Sequence, residues 1–135
     1  MKGKKVIYDD VDMELYIDED DLNKEITDQP LKFRKWSELA NEAEKAVKAI
    51  QNELDLVCAE VRLEIIEDYE LKGAKRPTTD DLRALVMVSE KVIEIKRELM
   101  EAENTSENLK SVVRAFYQRH EMLKDLSANI RKDVY

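Results

Sequence analysis

Two long stretches of the chain carry apolar residues at the spacing of an α-helix. In the first stretch the steps alternate between four and three residues, which is the seam pattern of helices that pack side by side. Its members are Trp36, Ala40, Ala43, Val47, Ile50, Leu54, Val57 and Val61. In the second stretch a row recurs every seven residues, with a companion row three residues earlier. The main row is Val88, Ile95, Ala102, Leu109, Phe116, Leu123 and Ile130, and the companion row is Leu85, Val92, Leu99, Ser106, Val113, His120 and Ser127.

Capping residues, proline and glycine set the expected bounds of these helices. Asp18 followed by three acidic residues predicts an N-cap and the first turn of a short helix, which Pro30 is expected to end. Lys72-Gly73 is a helix end, and Thr79 before two aspartates is a helix start. The predicted elements are a short helix over about 18–28, a long helix over about 31–72, a loop over 73–79 and a long helix over about 80–131.

This pattern predicts an all-α fold, in which a short N-terminal helix precedes a long antiparallel, coiled-coil-like hairpin. Residues 1–15 lack a helical stripe and are expected to form an acidic flexible arm, and residues 16–135 a single helical domain. Both seams need more burial than one partner provides, so self-association is expected; the alternative is a monomeric hairpin whose charged residues solvate two of its faces. The residues expected to mediate oligomerisation are Val57, Val61, Leu99, Leu109, Phe116, His120 and Leu123.

Composition agrees with long helices, because 40% of the 135 residues are charged and only two are glycine. The net charge is −8, and much of it lies in residues 1–28, which hold ten acids against four lysines. General attraction to nucleic acid is therefore not expected, although the near-neutral remainder can carry local basic surface. No signal peptide or apolar span is evident, which favours a cytoplasmic location.

Residue types that usually perform catalysis are scarce. Cys58 and His120 are each the only residue of their kind, and both fall within helical apolar patterns, so structural roles are expected for them. The chain has no Cys/His metal-ligand spacing and no glycine-rich phosphate loop. We therefore expect no enzyme activity, no metal and no cofactor.

Two basic clusters are candidate contacts to nucleic acid. In the first, which we call the basic-aromatic cluster, basic side chains alternate with aromatic ones. Proteins that bind single strands use such cations for the phosphates and such rings for stacking on the nucleobases. The cluster consists of Lys32, Arg34, Lys35 and Trp36, with Phe33 between them. The second, the loop cluster, consists of Lys72, Lys75 and Arg76. The alternative is that both clusters are solvated basic side chains with no ligand. The first would then lie at the start of the apolar seam, and the second in a hydrophilic turn.

The segment IDEDDLNKEITDQPLKFRKW resembles the N-terminal region of the UvsY-type recombination mediators of bacteriophages. The shared pattern needs no gap and comprises Ile17-Asp18, Leu22, Glu25, Phe33 and Lys35-Trp36. The family has tyrosine where this chain has Phe33. Further along, VRLEII and RAFYQRHEMLKDL look like the family's arginine-leucine-acid segment and its C-terminal helix.

The resemblance implies a non-enzymatic protein of the host cytoplasm during phage infection. Such a mediator binds single-stranded DNA and promotes loading of a RecA-like recombinase in place of single-strand-binding protein, and the family's ring would be a hexamer or heptamer. By this likeness Arg62 matches a DNA-contacting arginine, whereas the family's lysine two positions earlier is Glu60 here. The other DNA contacts are then expected from the loop cluster or from the basic-aromatic cluster.

Two other functions fit the residues. A structural or scaffolding coiled coil would need the seams but not the bases. An acidic decoy that mimics DNA would use the N-terminal acids to bind a basic protein.

Overall fold

The computed structural model describes residues 8–134, and within this range the fold is all-α. The elements are α1 (Tyr8–Leu15), a 3₁₀ turn (Glu19–Asp21), α2 (Leu22–Leu71), α3 (Thr79–Met87) and α4 (Glu90–Val134). The prediction of short helical structure followed by two long packed helices is confirmed. No helix among these residues is long and apolar enough to cross a lipid bilayer.

The chain divides into two compact units, and α2 and α4 each contribute to both. Unit 1 comprises residues 1–41 and 107–135, so the start of α2 packs there against the end of α4. Unit 2 comprises residues 42–106, where the end of α2 packs against α3 and the start of α4. The long helices therefore run antiparallel within each unit.

The expected flexible arm over residues 1–15 is corrected for its second half. Residues 8–15 form α1, while residues 1–7 lie outside the described range. A helix of two turns is marginal in isolation, but Val11 of α1 is only 4% exposed and Glu14 contacts α2. These tertiary contacts order the segment, and no apolar stripe announces them in the sequence.

Helix α2 runs through Pro30, where the sequence predicted a helix end. Asp18 caps the preceding 3₁₀ turn as expected, because its carboxylate accepts from the Asp20 amide at 3.0 Å. A proline inside a helix costs roughly 3 kcal/mol through the lost N–H and the ring clash. Pro30 is exposed, so its ring meets no partner, and Glu25 and Gln29 on the preceding turns are anchored to α4. These anchors hold the helix across the proline.

The end of α2 is a glycine-terminated Schellman motif, as the Lys72-Gly73 pair predicted. The Gly73 amide donates to the Glu70 carbonyl at 3.1 Å, and the Ala74 amide donates to the Tyr69 carbonyl at 3.0 Å. Gly73 has φ +65°, a left-handed conformation in which a Cβ is strained. After the loop, Thr78 rather than Thr79 is the N-cap of α3, and its hydroxyl accepts from the Asp81 amide.

The second predicted helix is interrupted once. Val88 and Ser89 separate α3 from α4, and the Ser89 carbonyl accepts from the Ile93 amide at 2.9 Å. Serine followed by Glu90 is a local helix-start signal inside an otherwise continuous seven-residue pattern.

The buried face of α4 also drifts away from the predicted companion row. Beyond Ser106, the main row stays buried as far as Leu123, and the positions buried beside it are Val112 and Arg119, one position before the expected Val113 and His120. Val112 and Arg119 lie three residues after members of the main row, whereas the companion row lies four residues after them, so the two sets flank the main row on opposite sides. His120 is consequently exposed and Arg119 is buried.

Candidate nucleic-acid interface

The basic-aromatic cluster lies in unit 1, where Glu14 of α1 engages three of its residues. The Glu14 carboxylate accepts from the Lys35 ammonium at 2.7 Å and from the Trp36 indole N–H at 2.6 Å. Its backbone carbonyl accepts from the Lys32 ammonium at 3.0 Å. Arg34 is more exposed and pairs with Glu38 on the next helical turn at 2.9 Å.

The Trp36 ring belongs to the core of unit 1. It is 5% exposed and stacks on Phe116 of α4, with ring centroids 6.1 Å apart and planes inclined by 15°. The Lys35 ammonium lies 5.0 Å from the indole centroid, within cation–π range. This corrects the expectation that Trp36 is free to stack on a nucleobase, because Phe116 and Glu14 already occupy its face and its N–H.

These contacts set the charge state of Glu14. Burial raises the pKa of the Glu14 carboxyl. The hydrogen bonds from Lys35 and Trp36 and the charges of Lys35 and Lys32 lower this pKa, and together they outweigh the effect of burial. The pKa of Glu14 therefore lies below its ordinary value of 4.5. The carboxylate is ionised at neutral pH and offsets one of the three positive charges of the basic-aromatic cluster, that of Lys35.

A second polar group of unit 1, absent from the sequence-based expectations, is centred on Arg119. Its guanidinium donates to the Glu25 carboxylate at 2.6 Å, to the Gln29 side-chain carbonyl, and to the Leu15 backbone carbonyl at 3.1 Å. The Gln29 amide in turn donates to the Phe116 carbonyl at 2.8 Å. This network ties α4 to α2 and to the end of α1.

The arrangement explains why Arg119 is not a nucleic-acid contact. Its side chain is 2% exposed, and no buried side-chain nitrogen or oxygen of residues 10–132 lacks a hydrogen-bond partner. The signal in the sequence was the spacing of Arg119, three residues after Phe116 and four before Leu123, which places it on the seam. A charged side chain at such a position implies a buried partner of opposite charge.

The loop cluster and Arg62 lie in unit 2, and all four side chains are exposed. Lys72 pairs with Asp68 at 3.0 Å on the surface of α2, an exposed pair that holds the lysine only weakly. Lys75 lines a groove that Asp81 also lines. Arg62 and Arg76 form no ion pair with any residue between 10 and 132. Like Arg34 in the basic-aromatic cluster, these bases are accessible to an anionic ligand, whereas Lys32 and Lys35 are engaged by Glu14.

Arg62 shares a groove with an arginine that the sequence analysis did not single out. Arg83 of α3 lines the same groove of about 330 Å³. No motif in the sequence connects these residues, because they lie on different helices and are brought together only by the packing of α3 on α2.

Most of the residues expected to mediate oligomerisation are packed inside the chain. Leu109, Phe116 and Leu123 are buried in unit 1. Val61 is buried in unit 2, with Val57 packed against the same cluster. The remaining two differ: Leu99 is half-buried, and His120 is exposed beside Tyr117, with ring centroids 6.5 Å apart.

The seams thus serve the packing of α2 against α3 and α4. A contact with a second copy would need other apolar side chains. Those exposed on the long helices include Leu56, Leu63, Met100, Tyr117, Met122 and Ile130.

Comparison with known proteins shows that the chain is similar in fold to solved structures with which it shares little sequence. No protein-family model matches the chain, and no curated protein matches it significantly. Among solved structures, the crystal structure of the recombination mediator protein UvsY of bacteriophage T4 (lattice type II) superposes with a TM-score of 0.78 at 12% identity, covering 100% of both chains. A second crystal form (lattice type IV) gives 0.77 at 13% identity, covering 98% of this chain and 99% of that one. The chain is therefore similar in fold, over its whole length, to the family that its N-terminal segment resembles.

Proposed function

We propose that this protein is a non-enzymatic recombination mediator that binds single-stranded DNA and promotes loading of a RecA-like recombinase in place of single-strand-binding protein. The observation that carries the proposal is the full-length similarity in fold to the T4 mediator. The N-terminal resemblance points to the same family from a different kind of information. The site of action would be the host cytoplasm during phage infection.

The distribution of accessible bases supports a DNA surface on unit 2. In unit 1 the core takes up Trp36, and Glu14 engages Lys32 and Lys35. In unit 2 Lys72 is held only by an exposed pair, and the exposed residues Arg62, Lys75 and Arg76 form no ion pair among residues 10–132. One chain offers few phosphate contacts against a net charge of −8. A ring-like homo-oligomer, a hexamer or heptamer by family resemblance, would repeat the same bases around the assembly and convert weak contacts into avid binding.

The mechanism follows from many weak contacts acting together. A strand whose phosphates are held by repeated lysine and arginine side chains keeps its nucleobases available to another protein. Each contact releases easily, so a recombinase can replace the mediator one site at a time. Such a surface competes with single-strand-binding protein for the backbone without carrying out any chemistry.

The decisive experiment is fluorescence anisotropy of a labelled oligo-dT strand titrated with the protein at about 50 mM and about 200 mM salt. We expect saturable binding that weakens steeply with salt, with a log–log slope of about −0.7 for each phosphate contact. Absence of saturable binding at the lower salt would contradict the proposal and leave the scaffold or the acidic decoy.

A charge-matched pair of variants locates the surface. The triple change Lys72→Ala, Lys75→Ala and Arg76→Ala should weaken binding and flatten the salt slope. The control is Lys45→Ala, Lys48→Ala and Arg97→Ala, which removes the same charge from exposed positions of the same unit. Equal losses in both variants would mean that overall charge, and not the loop cluster, governs binding.

A further inference from the structure

Two arginines from different helices line one groove of unit 2. Arg62 comes from the last third of α2, and Arg83 from the middle of α3. The groove measures about 330 Å³, and its other lining residues are Cys58, Ala59, Thr79, Leu82, Val86 and Met87. This volume lies at the lower end of the roughly 300–1,000 Å³ typical of ligand pockets, which is enough for one small group.

The charge of this groove is not neutralised by its surroundings. Neither arginine forms an ion pair with any residue from 10 to 132, and the lining set contains no acid. Residues three and four positions from Arg62 on α2 share its face, and all four are uncharged: Cys58, Ala59, Ile65 and Ile66.

Two acids lie near the arginines in sequence, and one of them, Asp80, shares a helix face with its arginine. Glu60 is two residues from Arg62, a spacing that places the two side chains on different faces of α2. Asp80 is three residues before Arg83 on α3, but no ion pair joins them. The groove is therefore lined by two guanidinium groups that form no ion pair among residues 10–132.

The remaining wall of the groove is apolar. Leu82 and Val86 are buried beneath it, and Met87 is 45% exposed at its edge. A thioether beside aliphatic side chains is a polarizable surface that suits an aromatic ring. A nucleotide unit of a single strand combines these two requirements, since it carries one phosphate and one ring with an accessible π-face.

We infer that Arg62 and Arg83 together hold one phosphate of single-stranded nucleic acid in this groove, with the neighbouring base against Leu82, Val86 and Met87. This inference rests on the proposed function and deepens it, since it assigns Arg83 a role that the sequence did not indicate. Two planar guanidinium forks from separate helices match the tetrahedral oxygens of a phosphate. An acidic protein segment would use the charge but would have less use for the apolar wall.

The test is a double-mutant cycle measured by oligo-dT anisotropy, with Arg62→Ala, Arg83→Ala and the double variant. Each single change should weaken binding by at least about tenfold, the effect of losing about 1.4 kcal/mol. Because both side chains share one phosphate, the double variant should lose much less than the product of the two single losses. The matched control is Arg97→Ala, an exposed arginine of the same unit outside the groove, which should change affinity by less than about twofold.

A lysine substitution separates geometry from charge. Arg83→Lys retains the positive charge but cannot offer two parallel N–H donors. It should keep the salt slope of the unmodified protein while binding more weakly. Full recovery of affinity by lysine would overturn the shared-phosphate geometry.

Cys58 provides a readout inside the groove, since it is the only cysteine of the chain and one of the lining residues. Saturating oligo-dT should slow its alkylation by a maleimide several-fold, and this protection should disappear in the double arginine variant. An unchanged alkylation rate at saturation would overturn the placement of the strand in this groove.

The outcomes distinguish the inference from the function on which it rests. If the unmodified protein does not bind oligo-dT, the proposed function fails. If it binds but Arg62→Ala and Arg83→Ala behave like Arg97→Ala, the shared-phosphate site is overturned while DNA binding stands. If the double variant binds oligo-dT normally but no longer promotes recombinase loading, the groove takes an acidic protein segment and the inference is again overturned.

Discussion

The two units of the protein use basic residues in opposite ways. In unit 1, Lys35 and Arg119 bind carboxylates of the same chain, so their charges hold α1, α2 and α4 together. In unit 2 the core is a cluster around Val61, Val86 and Val92, and the bases remain on the surface. Both units have an apolar core, but among residues 10–132 only unit 1 adds a buried ion pair, and a cation in such a pair is not available for a ligand.

The largest expected effect that tests this comparison is on the buried network of unit 1. Arg119→Ala would leave the Glu25 carboxylate buried without its cation, which costs about 3–5 kcal/mol. Urea denaturation should show that loss in the free energy of unfolding. The control is Arg114→Ala, an exposed position of the same helix, which should change stability by less than about 0.5 kcal/mol. A loss below about 1 kcal/mol for Arg119→Ala would mean that the network does not hold unit 1.

The matching test in unit 2 concerns Val92, whose side chain is fully buried. Val92→Ala removes the equivalent of two methylene groups, at about 0.8 kcal/mol each, and leaves a small cavity. We expect a loss of about 2 kcal/mol by the same denaturation measurement. Val88→Ala makes the same chemical change at a site that is 68% exposed and should be nearly neutral. Equal effects at the two sites would contradict an apolar core in unit 2.

A smaller effect is expected where α2 ends. Gly73→Ala forces a Cβ into a left-handed backbone conformation, which costs roughly 1–2 kcal/mol. Nothing lies within 4 Å of the added atom, so conformational strain would be the whole effect. Gly73→Asn should cost less, because asparagine tolerates this conformation. An alanine variant as stable as the unmodified protein would argue against the glycine-terminated helix end, with thermal unfolding as the measurement.

The smallest expected effect is the pH dependence of the Glu14 contacts. The pKa of Glu14 in the folded protein is depressed below 4.5, so its contribution to stability is complete above that value. It is lost as the pH falls through the lower pKa of the folded state.

The variant that isolates this contribution is Glu14→Gln, compared with the unmodified protein by urea denaturation from pH 7 to pH 3. The difference in stability between the two proteins should stay constant down to about pH 5 and shrink below pH 4.5. A difference that persists unchanged to pH 3 would show that the charge of Glu14 is not what binds Lys35 and Trp36.

Much of the fold could be predicted because long helices with one buried face place apolar residues at a regular spacing along the sequence. The seam from Trp36 to Val61 and the Lys72-Gly73 helix end needed only information from neighbouring residues. Two errors arose where tertiary contacts overrode local signals. Pro30 was expected to break a helix that Glu25 and Gln29 anchor just before it, and residues 8–15 were expected to be flexible although Val11 and Glu14 order them.

The candidate site could be predicted less well, since accessibility is not a property of a residue type. Trp36 and Lys35 had the composition of a nucleic-acid contact, but Phe116 and Glu14 occupy them. Arg83 had no distinguishing signal, and only the packing of α3 on α2 brings it to the groove of Arg62. Which base is buried and which is free depends on partners far away in the sequence.

The sequence by itself determined the all-α class, the two long helices and the end of α2 at Lys72-Gly73, because periodicity, capping and glycine geometry act over a few residues. The tertiary structure alone decided how the charges are divided. It buried Arg119 against Glu25 and Gln29, engaged the basic-aromatic cluster through Glu14, and left Arg62 and Arg83 open on unit 2. Burial and pairing are properties of the packed chain, and on them depends whether a cation stabilises the fold or binds a ligand.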